Sequence, residues 1–214
     1  MDALTINRNK QLSLASLIAF NFALLLFRIL VTQTAFYGFL IWNLILAGIP
    51  FLISSYIFHS EKIKGKKILL VTASVVWLLL LPNAPYILTD FLHFKKESSM
   101  PEWYDLLLLA TFSLSGLVFG LMSMFDMHKD WKDTFSNKTA WLFIFCCSLL
   151  SGFGIYIGRY LRYNSWDVLS NPIDLVIDLL PLLFELRAVG FSLGYGLFLF
   201  LFYLFFKVNS INHS

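Results

Sequence analysis

Six long apolar runs, separated by short polar segments, make up most of the chain. A helix needs roughly 20 mostly apolar residues to cross the hydrocarbon core of a bilayer, and each run is about that long. The pattern therefore predicts an all-α, polytopic membrane helix bundle of about six transmembrane helices, forming a single integral membrane domain over residues 1–214. The predicted spans are residues 12–31, 36–58, 68–88, 104–125, 139–157 and 189–206.

The composition excludes two large classes of protein. Apolar residues make up 58% of the chain and charged residues only 14%, against roughly 45–50% and about 25% in ordinary soluble domains. A water-soluble globule is therefore excluded, and so much apolar surface excludes a disordered chain. A net charge of +3 is too small and too dispersed for a nucleic-acid-binding surface. We expect the lipid bilayer as a partner and no nucleic acid, with the oligomeric state undetermined.

The distribution of Lys and Arg between alternate loops predicts the orientation of the chain. Membrane proteins retain the excess of these residues on the cytoplasmic side. With the N-terminus inside, the inner segments carry ten of them and the outer segments carry five. We therefore expect both termini in the cytoplasm, with segments 81–94 and 158–172 together on the outer side.

The third span contains two prolines, Pro82 and Pro85, before it reaches its full length. A helix from Ile68 to Pro82 rises about 22 Å at 1.5 Å per residue, which puts the break in the outer half of the bilayer. Lipid cannot satisfy the backbone groups that proline frees. Broken helices line binding sites in transporters, so Asn83 is a candidate ligand-binding residue. In the alternative, Asn83 and neighbouring helices only satisfy a kinked backbone.

Asp90 and His93 follow the break three residues apart, on one face of a resumed helical turn. A carboxylate beside an imidazole suits acid–base chemistry or metal ligation. A metal site needs three or four ligands, and the sequence has no HExxH, CxxC or repeated Asp-rich motif to supply the others. We therefore predict no metal site, and simple hydrogen bonding at the interface is the alternative to ligand binding.

Three arginines lie near the outer side of the predicted bundle. Arg159 and Arg162 are three residues apart at the end of the fifth span, and Arg28 is near the outer end of the first. Guanidinium groups bind phosphate and carboxylate with two hydrogen bonds. An arginine inside the membrane indicates a functional site by default, and Asp90 or Asp167 is the expected partner of Arg28. In the alternative, these side chains anchor helix ends by snorkelling to the interface.

An amphipathic outer segment is predicted before the last span. Its helix starts at residues 171–172, where Asn is the N-cap and Pro takes the first position. At about 100° per residue, Asp174, Asp178 and Glu185 form one acidic stripe. Pro181 is on the same stripe and is expected to bend or divide the helix. The acidic face is either solvated or packed against arginines.

Other small and polar residues of the spans are given structural roles. Asp126 and His128, at the inner end of the fourth span, are interpreted as loop charges, and the adjacent Cys146 and Cys147 as packing residues. Glycines four residues apart allow helices to approach closely. The chain has three such pairs, Gly116/Gly120, Gly154/Gly158 and Gly190/Gly194.

The segments LPNAPYILTDFLHF (81–94) and GRYLRYNSWDVLSNP (158–172) together resemble a bacterial membrane-protein family known only as domain of unknown function 1361. The resemblance extends from about the second span to the end of the chain. It implies a multi-pass protein of the bacterial inner (plasma) membrane, with family motifs at residues 82–93 and 158–167. It implies no activity, substrate or cofactor.

Three functions remain open at this stage. The first is a binding or transport-type protein whose polar pocket near the outer face receives an anionic lipid headgroup or a small solute. The second is a membrane enzyme in which Asp90 or His93 acts as a base, and the third is a structural or accessory subunit. Catalytic residues and cofactors are left unassigned. The predicted ligand-binding residues are Arg28, Asn83, Asp90, His93, Arg159, Arg162 and Asp167.

Overall fold

The structure is a computed structural model that describes residues 3–60, 62–63, 65–94, 100–170 and 172–211. These residues form helices and the turns between them, with no strand among them. Between the regular helices lie a 3₁₀ segment, Ile87–His93, and a π-helical turn, Ile157–Leu161. The helices are α1 (Ala3–Thr32), α2 (Phe39–His59), α3 (Lys67–Leu80), α4 (Asn83–Tyr86), α5 (Glu102–Thr134), α6 (Asn137–Tyr156), α7 (Asp167–Ser170), α8 (Pro172–Leu182) and α9 (Leu186–Ile211).

Six helical stretches are long and apolar enough to cross a membrane. They confirm the predicted polytopic bundle, including its broken third span and the amphipathic segment before the last span. The chain is thus a multi-pass membrane protein in contact with the lipid bilayer. The stretches are Leu12–Thr32, Phe39–His59, Lys67–His93, Glu102–Thr134, Asn137–Leu161 and Leu186–Val208.

Helix α5 is the centre of the bundle and contacts α1, α2, α3, α4, α6 and α9. In the most apolar part of α5, 61% of the residues are buried, because neighbouring helices cover it on most sides. The corresponding share in the other five stretches is 22–44%. It also continues to Thr134, so the interpretation of Asp126 and His128 as loop charges was wrong. His128 is buried in α5 and is hydrogen-bonded through Nδ1 to the Tyr203 hydroxyl of α9 at 2.8 Å.

The break after α3 is held between glycines of two helices. A Cβ atom added at Gly116 of α5 would lie 2.5 Å from the Ala84 carbonyl oxygen, and one at Gly154 of α6 would lie 2.5 Å from Pro82 Cγ. Gly120 and Gly158, one turn further along each helix, meet the same segment. Two of the three predicted glycine pairs are thus confirmed as sites of close approach, and they pack against the break.

The third pair was wrong, because an added Cβ at Gly190 or Gly194 has nothing within 4 Å. Gly196 makes the close contact of α9 instead. A Cβ atom added there would lie 2.6 Å from the Leu149 Cα of α6, and Gly152 lies opposite. Spacing alone does not tell which side of a helix faces a neighbour.

Side chains of the protein satisfy the carbonyl groups around the break. The Asn83 amide donates to the Leu80 carbonyl at 3.0 Å, and the Thr89 hydroxyl donates to the Tyr86 carbonyl at 2.7 Å. The Ser113 hydroxyl of α5 donates to the Ile87 carbonyl at 3.2 Å. The backbone therefore turns inside the bundle without needing lipid as a hydrogen-bond partner.

Candidate functional site

Because the spans alternate in direction, one end of the bundle collects the end of α1, the break and the turn after α6. We call this the break end. Ring contacts connect its parts: Arg28 lies 4.5 Å from the centre of the Tyr37 ring, Tyr37 is 6.1 Å from Phe39, and Phe39 is 5.3 Å from His93. All seven predicted site residues lie at this end, in two separate polar clusters and a connecting loop.

A cavity of about 370 Å³, which we call the break cavity, opens at this end. Its polar lining comes from Asn43 of α2, Asn83 at the break, and the loop residues Tyr163, Asn164 and Ser165. The rest of its wall is mostly apolar. That part consists of Trp42, Leu46, Leu78, Leu79, Pro82, Tyr86, Leu150, Phe153, Gly154, Ile157, Gly158, Val168, Leu175 and Leu179.

The first cluster surrounds Asp90, which is 1% exposed. The Asn43 amide donates to Asp90 Oδ2 at 2.7 Å, and Arg159 Nη1 lies 3.7 Å from Asp90 Oδ1. Arg159 Nη1 also donates to His93 Nε2 at 3.1 Å. Since arginine only donates, His93 Nε2 is the acceptor and this imidazole is neutral. Asn43 lines the cavity, so the cluster is one hydrogen bond away from the cavity wall.

Arg159 uses only part of its hydrogen-bonding capacity. Both of its polar contacts are made through Nη1, and Nε and Nη2 make no hydrogen bond to the described residues. A guanidinium group has five N–H donors, and its Nε–Nη2 edge matches two oxygens of a carboxylate or phosphate. Arg159 is in the π-helical turn beside Gly158, which lines the cavity, and π-helical turns are frequent at functional sites.

Asn83 lies at the boundary between scaffold and cavity. Its Nδ2 group donates to the Leu80 carbonyl and to Ser165 Oγ at 3.2 Å. It therefore ties the break to the loop after α6, as the kinked-backbone alternative requires. The same side chain lines the cavity, so a ligand contact through its oxygen is geometrically open.

The second cluster surrounds Arg28, and the expected partner of this residue was wrong. Arg28 pairs with Asp105 of α5 through Nε–Oδ1 at 2.7 Å and Nη2–Oδ2 at 3.2 Å, and its Nη1 contacts Thr34. Neither Asp90 nor Asp167 is the partner of Arg28, because α1 packs on α5 and Asp105 lies in the first turn of that helix. Arg28 is 4% exposed and Asp105 is 0% exposed.

Arg162 and Asp167 have backbone roles in the loop after α6. Arg162 ends the π-helical turn in a left-handed conformation (φ 63°) and is exposed, so it does not share a helix face with Arg159 as the spacing predicted. Asp167 accepts hydrogen bonds from the Asn164 backbone N–H at 2.6 Å and from the Ser170 hydroxyl at 3.3 Å. Its carboxylate thereby stabilises the start of α7.

Helix α8 lies over the cavity, with Leu175 and Leu179 in the cavity wall. The Tyr163 hydroxyl donates to Asp178 Oδ2 at 2.7 Å, and this hydrogen bond raises the pKa of Tyr163. The helix ends at Leu182, so Glu185 is not part of its acidic stripe, while Pro181 lies in its last turn. The predicted N-cap, Asn171, lies outside the described residues.

Several contributors to the site were not among the predicted residues. Asn43 and Asp105 are polar residues within predicted apolar spans, a signal that could have identified both. Tyr163 and Ser165 carry no comparable signal, because polar residues are common in loops. Asp90 and His93 both contact Arg159, and no hydrogen bond joins them directly within the described part of the chain. The described part of the chain contains no group of three or more His, Cys, Asp or Glu side chains that could hold a metal ion.

Comparison with known proteins gives one match. A family model described as "Protein of unknown function (DUF1361)" matches residues 42–202. Curated proteins and solved structures give no match. The matched region contains the break cavity and six of the seven predicted site residues, whereas Arg28 precedes it.

Proposed function

The chain belongs to the DUF1361 family, whose description names no activity, and we propose that it is a membrane binding protein for an anionic ligand. The ligand occupies the break cavity and Arg159 binds its charged group. An anionic lipid headgroup and a small anionic solute both supply that chemistry. The observations that carry the proposal are the Nε–Nη2 edge of Arg159, which makes no hydrogen bond to the described residues, and the partly open cavity of about 370 Å³ that the adjacent Gly158 lines.

The contacts of Arg159 support binding of an additional anion. Its separation from Asp90 Oδ1 is 3.7 Å, which is longer than a hydrogen bond. Its other polar contact is the imidazole of His93, which is neutral and therefore does not neutralise the positive charge of Arg159. A carboxylate or phosphate at the free edge would gain two charge-assisted hydrogen bonds without displacing Asp90.

The seven predicted residues have different roles in this proposal. Arg159 binds the anion, Asp90 and His93 hold the guanidinium group in place, and Asn83 borders the cavity. Arg162 is a second cation at the exposed rim. Arg28 and Asp167 stabilise the surrounding scaffold and touch no ligand.

Retention of lipid by a variant with a filled cavity tests the proposal. Leu179→Trp places a large side chain in the cavity, whereas Leu180→Trp places the same side chain on the exposed side of α8. Both proteins are reconstituted in vesicles of phosphatidylcholine and phosphatidylglycerol in equal amounts, extracted, and examined by native mass spectrometry. We expect Leu179→Trp to lose bound phosphatidylglycerol and Leu180→Trp to keep it. Equal retention by both variants would contradict the proposal.

Free anions test the second source of the same chemistry. Inorganic phosphate is titrated into detergent-purified, delipidated protein while the melting temperature is recorded. Stabilisation by phosphate that Leu179→Trp abolishes would identify a solute site, and stabilisation by phosphatidylglycerol alone would identify a headgroup site. If neither anion stabilises the protein, the proposal fails.

We also propose that the protein lies in the cell membrane with both termini in the cytoplasm and the break end outside, as the Lys and Arg distribution predicts. Single cysteines at Ser170 and Lys138, which lie at opposite ends of the bundle, test this in a background lacking Cys146 and Cys147. An impermeant maleimide should label only the cysteine at position 170 in intact cells. Labelling of only the cysteine at position 138 would contradict this orientation and indicate the opposite one.

A further inference from the structure

The break cavity has a side opening within the span region. Trp42, Leu79 and Leu150 line the cavity, yet they remain 55%, 41% and 53% exposed. They belong to α2, α3 and α6, three helices that cross the membrane. Leu79 is about 18 Å from Lys67 along α3 at 1.5 Å per residue, well within a hydrocarbon core of about 30 Å. The opening therefore faces lipid.

Helix α8 has three distinct faces. Leu175 and Leu179 face the cavity, and Asp174 and Asp178 are exposed on the next side of the helix. The remaining side is apolar and each of its residues is more than half exposed. It consists of Ile173, Val176, Ile177 and Leu180.

The exposed apolar side of α8 is continuous with membrane-facing surface. The chain after α8 passes through Leu183 and Phe184, which are 54% and 89% exposed, directly into the last span at Leu186. A helix with one apolar side and one charged side is suited to the plane of the lipid–water interface. A bilayer would cover this surface without any protein partner.

We infer that the break cavity takes its ligand from the bilayer, through the side opening bordered by Trp42, Leu79 and Leu150, while α8 covers the cavity at the lipid–water interface. This inference rests on the proposed function and narrows the ligand class to an amphiphile with an anionic headgroup and an acyl chain. The apolar wall takes the chain, and Arg159 takes the headgroup.

The hydrogen bond between Tyr163 and Asp178 fits this arrangement. It joins the loop after α6 to the acidic side of α8 at the water-facing edge of the cavity. The cavity is thereby covered on the side of the headgroups and remains open on the side of the chains. A ligand arriving from water would have to displace α8, whereas one arriving from lipid would not.

Cysteine reactivity tests the route independently of any ligand. Val168→Cys places a thiol in the cavity wall, and Ser170→Cys places one at the exposed end of the same short helix, α7, both in a background lacking Cys146 and Cys147. Vesicles containing each variant are treated with an apolar maleimide that partitions into lipid or with a sulfonated maleimide confined to water. Leu179→Cys provides a second cavity thiol in case the first variant folds poorly.

We expect the apolar reagent to label both cavity thiols, and the sulfonated reagent to label them about tenfold more slowly than Ser170→Cys, because a charged reagent is excluded from hydrocarbon. Equal labelling of the cavity thiols and of Ser170→Cys by the sulfonated reagent would overturn the lipid route, as would failure of the apolar reagent to reach the cavity. Lipid retention by the Leu179→Trp variant remains a separate measurement. Water access with retained lipid would thus defeat this inference alone.

Discussion

Arg28 and Arg159 lie at the same end of the bundle, and each faces an aspartate from another part of the chain. Arg28 engages Asp105 through two nitrogens and Thr34 through the third. Arg159 makes its contacts with Asp90 and His93 through one nitrogen only. Both side chains are largely shielded, with 5% of Arg28 and 12% of Arg159 exposed, and both carry the same charge, so the contacts of the guanidinium groups are the clearer difference. All three nitrogens of Arg28 have a partner, which suits a role in stabilising the fold, whereas the Nε–Nη2 edge of Arg159 can still bind an anion.

The largest effect that separates the two clusters is expected from Asp105→Asn. It leaves the Arg28 charge buried without a carboxylate, which lowers the unfolding free energy by about 3–5 kcal/mol. The double variant Arg28→Met with Asp105→Leu should recover most of this loss, because apolar side chains replace the pair. Urea unfolding in detergent measures the stability of both variants. If Asp105→Asn were as stable as wild type, a stabilising role of the Arg28–Asp105 pair would be refuted.

Asp90→Asn, the matched change in the first cluster, should cost less, about 1–3 kcal/mol. Asn43 can still donate to the new amide oxygen, and Arg159 sits at a partly open site. Phosphatidylglycerol retention should stay the same, because the anion binds the Nε–Nη2 edge and Asp90 lies 3.7 Å from Nη1, beyond hydrogen-bond distance. A loss of stability as large as that of Asp105→Asn would show that the two clusters are equivalent.

Asn83→Ala is expected to lower the unfolding free energy by about 1 kcal/mol, because the Leu80 carbonyl loses its donor. Ser165→Ala is the control, since it removes the second partner of Asn83 and leaves that carbonyl satisfied. Thermal melts in detergent compare the two. If Asn83→Ala melts normally and loses lipid, Asn83 is a ligand contact with no scaffold role.

Arg159→Lys combined with Arg162→Lys should have the smallest effect on stability, within about 0.5 kcal/mol. Lysine keeps the charge but lacks the planar fork, so retained phosphatidylglycerol should fall about tenfold, the equivalent of one lost charge-assisted hydrogen bond. Arg187→Lys, at an exposed position outside the cavity, is the control. Equal retention in all three proteins by native mass spectrometry would favour the accessory-subunit alternative.

The spans and the break could be predicted because their causes are local. Twenty apolar residues suffice for a span, and Pro82 and Pro85 interrupt a helix whatever surrounds it. The spacing of the glycines in α5 and α6 also predicted close helix approach, but not that they pack against the break. For Gly190 and Gly194, by contrast, no atom of the described residues lies within 4 Å of an added Cβ, and nothing in the spacing reveals this.

The pairing of charges could not be predicted, because it depends on which helices are neighbours. Asp105 is 77 residues from Arg28, and only the packing of α1 on α5 brings them together. The π-helical turn had no recognisable sequence signal, yet it ends at Arg162 in a left-handed conformation, which takes this residue off the helix face of Arg159. The candidate residues were therefore predicted to share one end of the bundle, as they do, but their partners were not identified.

The long sequence separation of Arg28 and Asp105 also constrains the order of events during biosynthesis. At about 5–20 residues per second, Asp105 leaves the ribosome roughly 4–15 s after Arg28. During that interval the carboxylate that neutralises the arginine has not yet been made, and two further hydrophobic segments compete for insertion. The first helix to be synthesised therefore completes its docking only after the fourth span arrives, so Arg28 delays its own helix until the centre of the bundle exists.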